Sequence, residues 1–281
     1  MTNQETQLLK LLPRVLRARD FHLYTEGGKR LTDLWLQGGR AILGHKPPQV
    51  LRELKNAAER GLFAPFPHPM ENRFIKALGE LFQGRGFRLY PDTVSLYRAL
   101  EKAGFAEKDD ENGDCHHSEN GDCHLWRPFI EEHPDNLAPV LIPVLPLPLG
   151  PEVLVLEKSA EASFPTSELI PPVLLAPAAR ALYDLIAVLK AKNQNRGQYL
   201  KIEKVLREQK PGGLKSGGGF WRRQGIYLTL APCMEREEYA ALFRNFLEGG
   251  FLIPPSQLDP LILPPSLSPG EESKLAALLK L

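Results

Sequence analysis

Two stretches of this chain concentrate side chains that could do chemistry. Residues 111–118 read ENGDCHHS and residues 119–126 read ENGDCHLW, so six consecutive residues recur eight positions on. The repeat sets Cys115, His116, His117, Cys123 and His124 within ten positions. Two thiolates and two imidazoles can close a tetrahedral zinc site, and Cys115, His116, Cys123 and His124 are the four candidates. The spacing is not the usual C-x-x-C pair. A perfect repeat in a polar segment also reads as a recent duplication in an exposed loop, and that is the favoured reading, with zinc second and a Cys115–Cys123 disulfide third. The other stretch is PEVLVLEKSAEAS, 151–163, where Lys158 follows a run apolar on both faces. A lysine at the end of a buried strand can be desolvated and poised as a neutral nucleophile. The plain alternative is a strand-end lysine reaching solvent.

Weaker signals lie elsewhere. KPGGLKSGGGFWRR, 210–223, is glycine-rich enough to suggest a phosphate cradle, but no Gly-Lys-[ST] follows a spaced glycine. Its composition reads as an interdomain linker. Arg222 or Arg223 could pair with a substrate carboxylate, since guanidinium and carboxylate match in bidentate fashion. His45 and His68 are lone histidines beside glycine or proline, and both read as structural.

The elements that must position these groups follow from periodicity and punctuation. A helix is expected over 4–19. Two short strands follow within 20–45, joined by the turn Glu26-Gly27-Gly28-Lys29. Pro47-Pro48 opens a helix to about Arg60. Met70–Phe82 has Phe74, Leu78 and Leu81 on one face, a helical spacing. A strand at 87–90 leads to a helix over 93–103, and residues 106–124 read as a loop. Strand signals fill 137–158. Further helices are expected over 177–192, 198–209, 235–248 and 269–280, with a strand at 225–231. Ser268 and Glu271 form a capping box. Alternating helices and doubly apolar strands indicate an α/β sheet covered on both sides.

Bulk properties exclude some function classes. With 35 basic and 34 acidic residues, the chain offers no charge excess for nucleic acid or an acidic membrane surface. The most apolar stretch, 137–157, is broken by Pro139, Pro143, Pro146, Pro148 and Pro151, which argues against a membrane span. The N-terminus is amphipathic and charged throughout, with no apolar signal-peptide core. Three cysteines are too few for a disulfide framework. Together these point to the cytoplasm.

Both ends of the chain resemble one family. TDLWLQGGRAILGH, 32–45, resembles a "D-x-x-x-G-x-G-x-x-x-L-G-H" run, with Asp33, Gly38, Leu43, Gly44 and His45 in matching places. Residues 239–281 resemble the C-terminal segment of the same family, the class III aminotransferases, including the glutamate-1-semialdehyde aminomutase branch. The resemblance implies pyridoxal phosphate (PLP), a homodimer and an amino-acid-like substrate. It also implies the three-layer α/β sandwich of the fold type I transferases, here with a shortened large domain and a smaller α+β domain from the two chain ends. By that pattern residues 1–70 and 210–281 belong to the small domain and 71–209 to the large one.

The same resemblance places Lys158 at the Schiff-base position and Thr93 and Ser95 at the phosphate cradle. Departures accompany each. Glu157 and Ala160-Glu161-Ala162 stand where glycines are expected. Asp92-Thr93-Val94-Ser95 replaces a glycine-containing loop, and Asp92 reads more simply as a helix cap. IPPVLLAPAARALYDLIAVL, 170–189, lacks the family's phosphate-binding threonine. No aspartate precedes Lys158 at the place that would protonate the pyridine nitrogen, and Asp135 is a poor substitute. The chain thus reads as a contracted aminotransferase-like protein with activity reduced or lost. The alternative is a non-catalytic dimeric scaffold that binds a partner or small molecule, with the Cys/His segment as a further metal-binding possibility.

Overall fold

A computed structural model describes residues 2–105, 123–130, 138–147, 149–191, 199–209, 220–231 and 234–280. In chain order they form α1 (Asn3–Leu9), β1 (Val15–Arg19), β2 (His22–Thr25), β3 (Arg30–Asp33), α2 (Pro48–Glu59) and α3 (Met70–Leu81). Next come β4 (Gly86–Tyr90), α4 (Thr93–Lys102), β5 (Cys123–Trp126), β6 (Val140–Pro143), β7 (Glu152–Leu156) and α5 (Pro172–Lys190). The chain ends with α6 (Leu200–Glu208), β8 (Phe220–Gln224), β9 (Tyr227–Ala231), α7 (Arg236–Gly249), β10 (Phe251–Leu252), β11 (Leu261–Ile262) and α8 (Pro269–Leu278). The fold is mixed α/β, as the alternation of periods implies.

The chain divides into two compact units, Met1–His45 with Asn193–Leu281, and Lys46–Lys192. The divisions fall before α2 and before α6. Helix α2 packs on α5 of the second unit, while Tyr199, Ile202 and Val205 enter the core of the first.

In the first unit, β1, β2 and β3 pair antiparallel in turn, and β10 joins β3 in parallel, with Phe251 opposite Thr32. The turn expected at 26–29 is present, and Gly27 and Gly28 take φ of +91° and +81°, a region only glycine enters freely. The first helix is shorter than its pattern suggested. It stops at Leu9 because the ring of Pro13 would collide with the Leu9 carbonyl in a continued helix. A second sheet runs β11-β9-β8. Leu31, Leu34, Phe243, Phe246, Phe251 and Leu275 are fully buried at the centre of this unit. The capping box of α8 is closed in both directions between Ser268 and Glu271.

The second unit holds the sheet β4-β7-β6-β5. Its central strand β7 runs antiparallel to both neighbours, whereas β5 and β6 are parallel. Leu154 and Leu156 face α4, where they bury Leu96, Ala99 and Leu100. Val153 and Val155 alternate onto the opposite face and are buried too, so both faces are covered. Helix α5 begins at Pro172, five residues before the expected start, because Pro172, Leu175 and Ala176 already face the core. By length and composition α5 is apolar enough to cross a membrane, and half of it is buried within the protein.

Candidate functional site

The direction of β7 decides what the candidate residues can do together. Because β7 is antiparallel to β4 and β6, the carboxyl ends of β4, β5 and β6 share one edge of the sheet with the start of β7. In open α/β sheets ligands bind outside the carboxyl ends of the parallel strands. Thr93 and Ser95 lie at that edge, in the first turn of α4, three and five residues past the end of β4. Two of their donors are already engaged. The Ser95 N–H donates to Asp92 Oδ1 at 2.7 Å, and the Thr93 hydroxyl donates to Glu152 Oε1 at 3.1 Å. A helix N-terminus favours an anion, and here the anion is the Asp92 carboxylate of the chain itself. Replacing Asp92 with alanine should lower stability by about 1 kcal/mol, read as a lower urea midpoint.

Lys158 lies at the other end. Tyr90, the last residue of β4, pairs with Glu152, and Gly86, the first, pairs with Leu156. Lys158 follows Leu156 by two residues, in an exposed turn. The two ends of this ladder are about 13 Å apart, from four strand steps. A lysine stem of four methylenes covers roughly half of that distance. The groups around Lys158 serve the fold. Arg85 donates to the Ala138 carbonyl at 2.6 Å and stands 3.9 Å from Glu157. Arg88 donates to Glu161 Oε1 at 2.9 Å and to the Glu161 carbonyl at 3.0 Å.

PLP carries its aldehyde and its phosphate on one pyridine ring, so its lysine and its phosphate cradle must be neighbours. Lys158 is not a neighbour of Thr93 and Ser95. Asp92 adds negative charge at the cradle, and β5 and β6 bring no carboxylate to the pyridine position. The residues present at these positions do not fit PLP.

Of the four metal candidates, Cys115 and His116 lie outside the described residues, as does Asp135. Cys123 and His124 are adjacent on β5, and neighbouring strand residues point to opposite faces. Cys123 packs against the core beside α4. No group of three or more metal-ligating side chains occurs among the described residues.

The first unit contains a polar lock that the sequence shows only as matched letters. Asp33 is 1% exposed. Its Oδ1 accepts the N–H groups of Trp35 and Leu36 at 2.8 and 2.9 Å, and His45 Nε2 lies 2.9 Å from its Oδ2. The turn it braces is strained, with Leu36 and Gln37 at φ of 48° and 55°. Gly44 explains the approach of His45: its φ is +90°, and a Cβ there would meet the Asp20 carbonyl oxygen at 3.1 Å. The His45 N–H donates to that same oxygen at 2.8 Å.

No family model matches the chain. An uncharacterized protein of Treponema pallidum is 26% identical over 298 residues, covering 94% of this chain and 93% of that one. An uncharacterized protein of Borreliella burgdorferi is 40% identical over 97 residues, or 33% of this chain and 36% of that one. Among solved structures, the ornithine delta-aminotransferase of Plasmodium falciparum superposes with a TM-score of 0.64 at 12% identity, covering 95% of this chain and 92% of that one. An omega-transaminase from Sphaerobacter thermophilus gives 0.65 at 10% identity, covering 99% and 95%. A transaminase solved with PLP bound gives 0.65 at 13% identity, again covering 99% and 95%. The chain therefore has the fold of PLP-dependent aminotransferases.

Proposed function

We propose that this protein is a binding scaffold built on an aminotransferase fold and that it does not hold PLP on Lys158. The observation that supports this reading is the register of β4 against β7, which sets Lys158 and the Thr93–Ser95 turn at opposite ends of one sheet. The scaffold is the shortened three-layer core of the fold type I transferases with a small α+β domain. It works as a cytoplasmic homodimer, and light scattering on the purified chain should return twice the chain mass. PLP, when bound in such a fold, supplies an electron sink for amino-group chemistry. Here Asp92 caps α4 and Glu152 holds Thr93, so those groups stabilise the fold.

The test is intact mass after incubation with PLP and borohydride reduction, beside a Lys158→Ala control. Exposed lysines take up some PLP without specificity. Lys158, itself exposed, should carry no more adduct than any other exposed lysine, so wild type and variant should differ by no more than one such site. An adduct beyond that level, present in the wild type and absent from Lys158→Ala, would overturn the proposal and restore an aminotransferase acting on an amino-acid-like substrate.

A further inference from the structure

We propose that a cleft within the second unit binds a small organic carboxylate. The cleft encloses about 100 Å³ between α2, the start of α3 and the first turns of α5. One face of α2 supplies Glu53, Asn56, Ala57 and Arg60 at spacings of three and four residues. Of the lining residues, Ala57 and Ala176 are buried and with half-buried Met70 make an apolar floor, while half-buried Glu53 and His68 and exposed Asn56 and Arg60 form the rim.

The rim is rich in donors and poor in acceptors. His68 Nδ1 accepts the Met70 N–H at 3.2 Å, so in the neutral ring the proton sits on Nε2, which is left as a donor. The guanidinium of Arg60 and the amide of Asn56 have no side-chain partner among the described residues. The single rim carboxylate, Glu53, stands 3.9 Å from Arg73, whose guanidinium also lies over the Tyr183 ring at 5.9 Å. Arg73 thus offsets Glu53, and the charge of Arg60 stays uncompensated. A ligand for this cleft brings acceptors and one negative charge to Arg60 and a hydrocarbon body to the floor. A carboxylate on a short alkyl chain has both. A dianionic phosphate would meet Glu53 and leave the floor unfilled.

This inference goes beyond the scaffold reading and stands whether or not Lys158 takes PLP, since every residue it uses lies between 53 and 183. The test is a titration of the full chain, followed by amide ¹H–¹⁵N shifts, with sodium pentanoate, pentanamide and pentylamine. Pentanoate should give saturable shifts at the amides of Asn56, Arg60, Leu62 and His68, and the other two should not. Arg60→Gln, a change at an exposed position, should weaken pentanoate at least ~10-fold. Ala57→Leu, which fills the floor, should abolish the shifts. Absent saturation in wild type, equal binding of pentanamide, or unchanged binding in Arg60→Gln would each overturn the assignment.

Discussion

Asp33→Ala should destabilise the first unit by about 3 kcal/mol or more, and the loss should appear as a lower urea midpoint with little change in slope. The substitution strands three groups at once. The Trp35 and Leu36 N–H groups lose their acceptor, and His45 loses the carboxylate beside its Nε2. Each buried donor left unpaired costs about 1–3 kcal/mol. The left-handed backbone at Leu36 and Gln37 adds to the loss, because a strained turn persists only while its surroundings hold it. Asp33→Asn retains an acceptor for the two N–H groups and should fall between wild type and alanine. An alanine variant as stable as wild type would show that the strained turn is held by packing alone.

The second large effect is a dependence on acid. Glu271 is 17% exposed and joins α8 to the first sheet. Burial would raise its pKa, but hydrogen bonds outweigh burial. They come from the Ser268 hydroxyl and backbone, then from His22 and Thr32, and they bring the carboxyl down to about 2. In the unfolded chain the group titrates near 4.5. A depressed carboxylate contributes stability that is present above the unfolded value and lost as pH falls through the folded one. Between pH 4.5 and 2 the unfolded state binds a proton that the folded state refuses, so stability should drop by roughly 2 kcal/mol across that window, allowing for solvent screening. Glu271→Gln should be less stable at neutral pH and should flatten this part of the profile. Parallel profiles for wild type and Glu271→Gln would assign the acid loss to other carboxylates.

Much of the fold is legible in the residues, and the candidate site is not, for one physical reason. Helices such as α3 and α7 announce themselves through local spacing, and Ser268-Pro269-Gly270-Glu271 announces the start of α8 through local hydrogen bonds. Strand direction has no such local signal. VLVL in β7 is apolar at every position, which reports burial on both faces and says nothing of which way the neighbours run. Lys158 does stand at a strand end, as its sequence context indicates, but antiparallel pairing carries that end away from α4. Short strands also escape: β5 continues a polar repeat, and β10 and β11 have two residues each. Asp33 and His45 appear in the sequence as a motif, and only the fold shows that one holds the other.

The parallel pairing of β10 with β3 joins residues from opposite ends of the chain. Its consequence is an order of events during synthesis. Residues 46–192 form one uninterrupted unit and can collapse while the ribosome is still extending the chain. The first 45 residues must wait, carrying an unpaired β3 edge, until Phe251 emerges. For that interval the β3 edge is open to pairing with another chain.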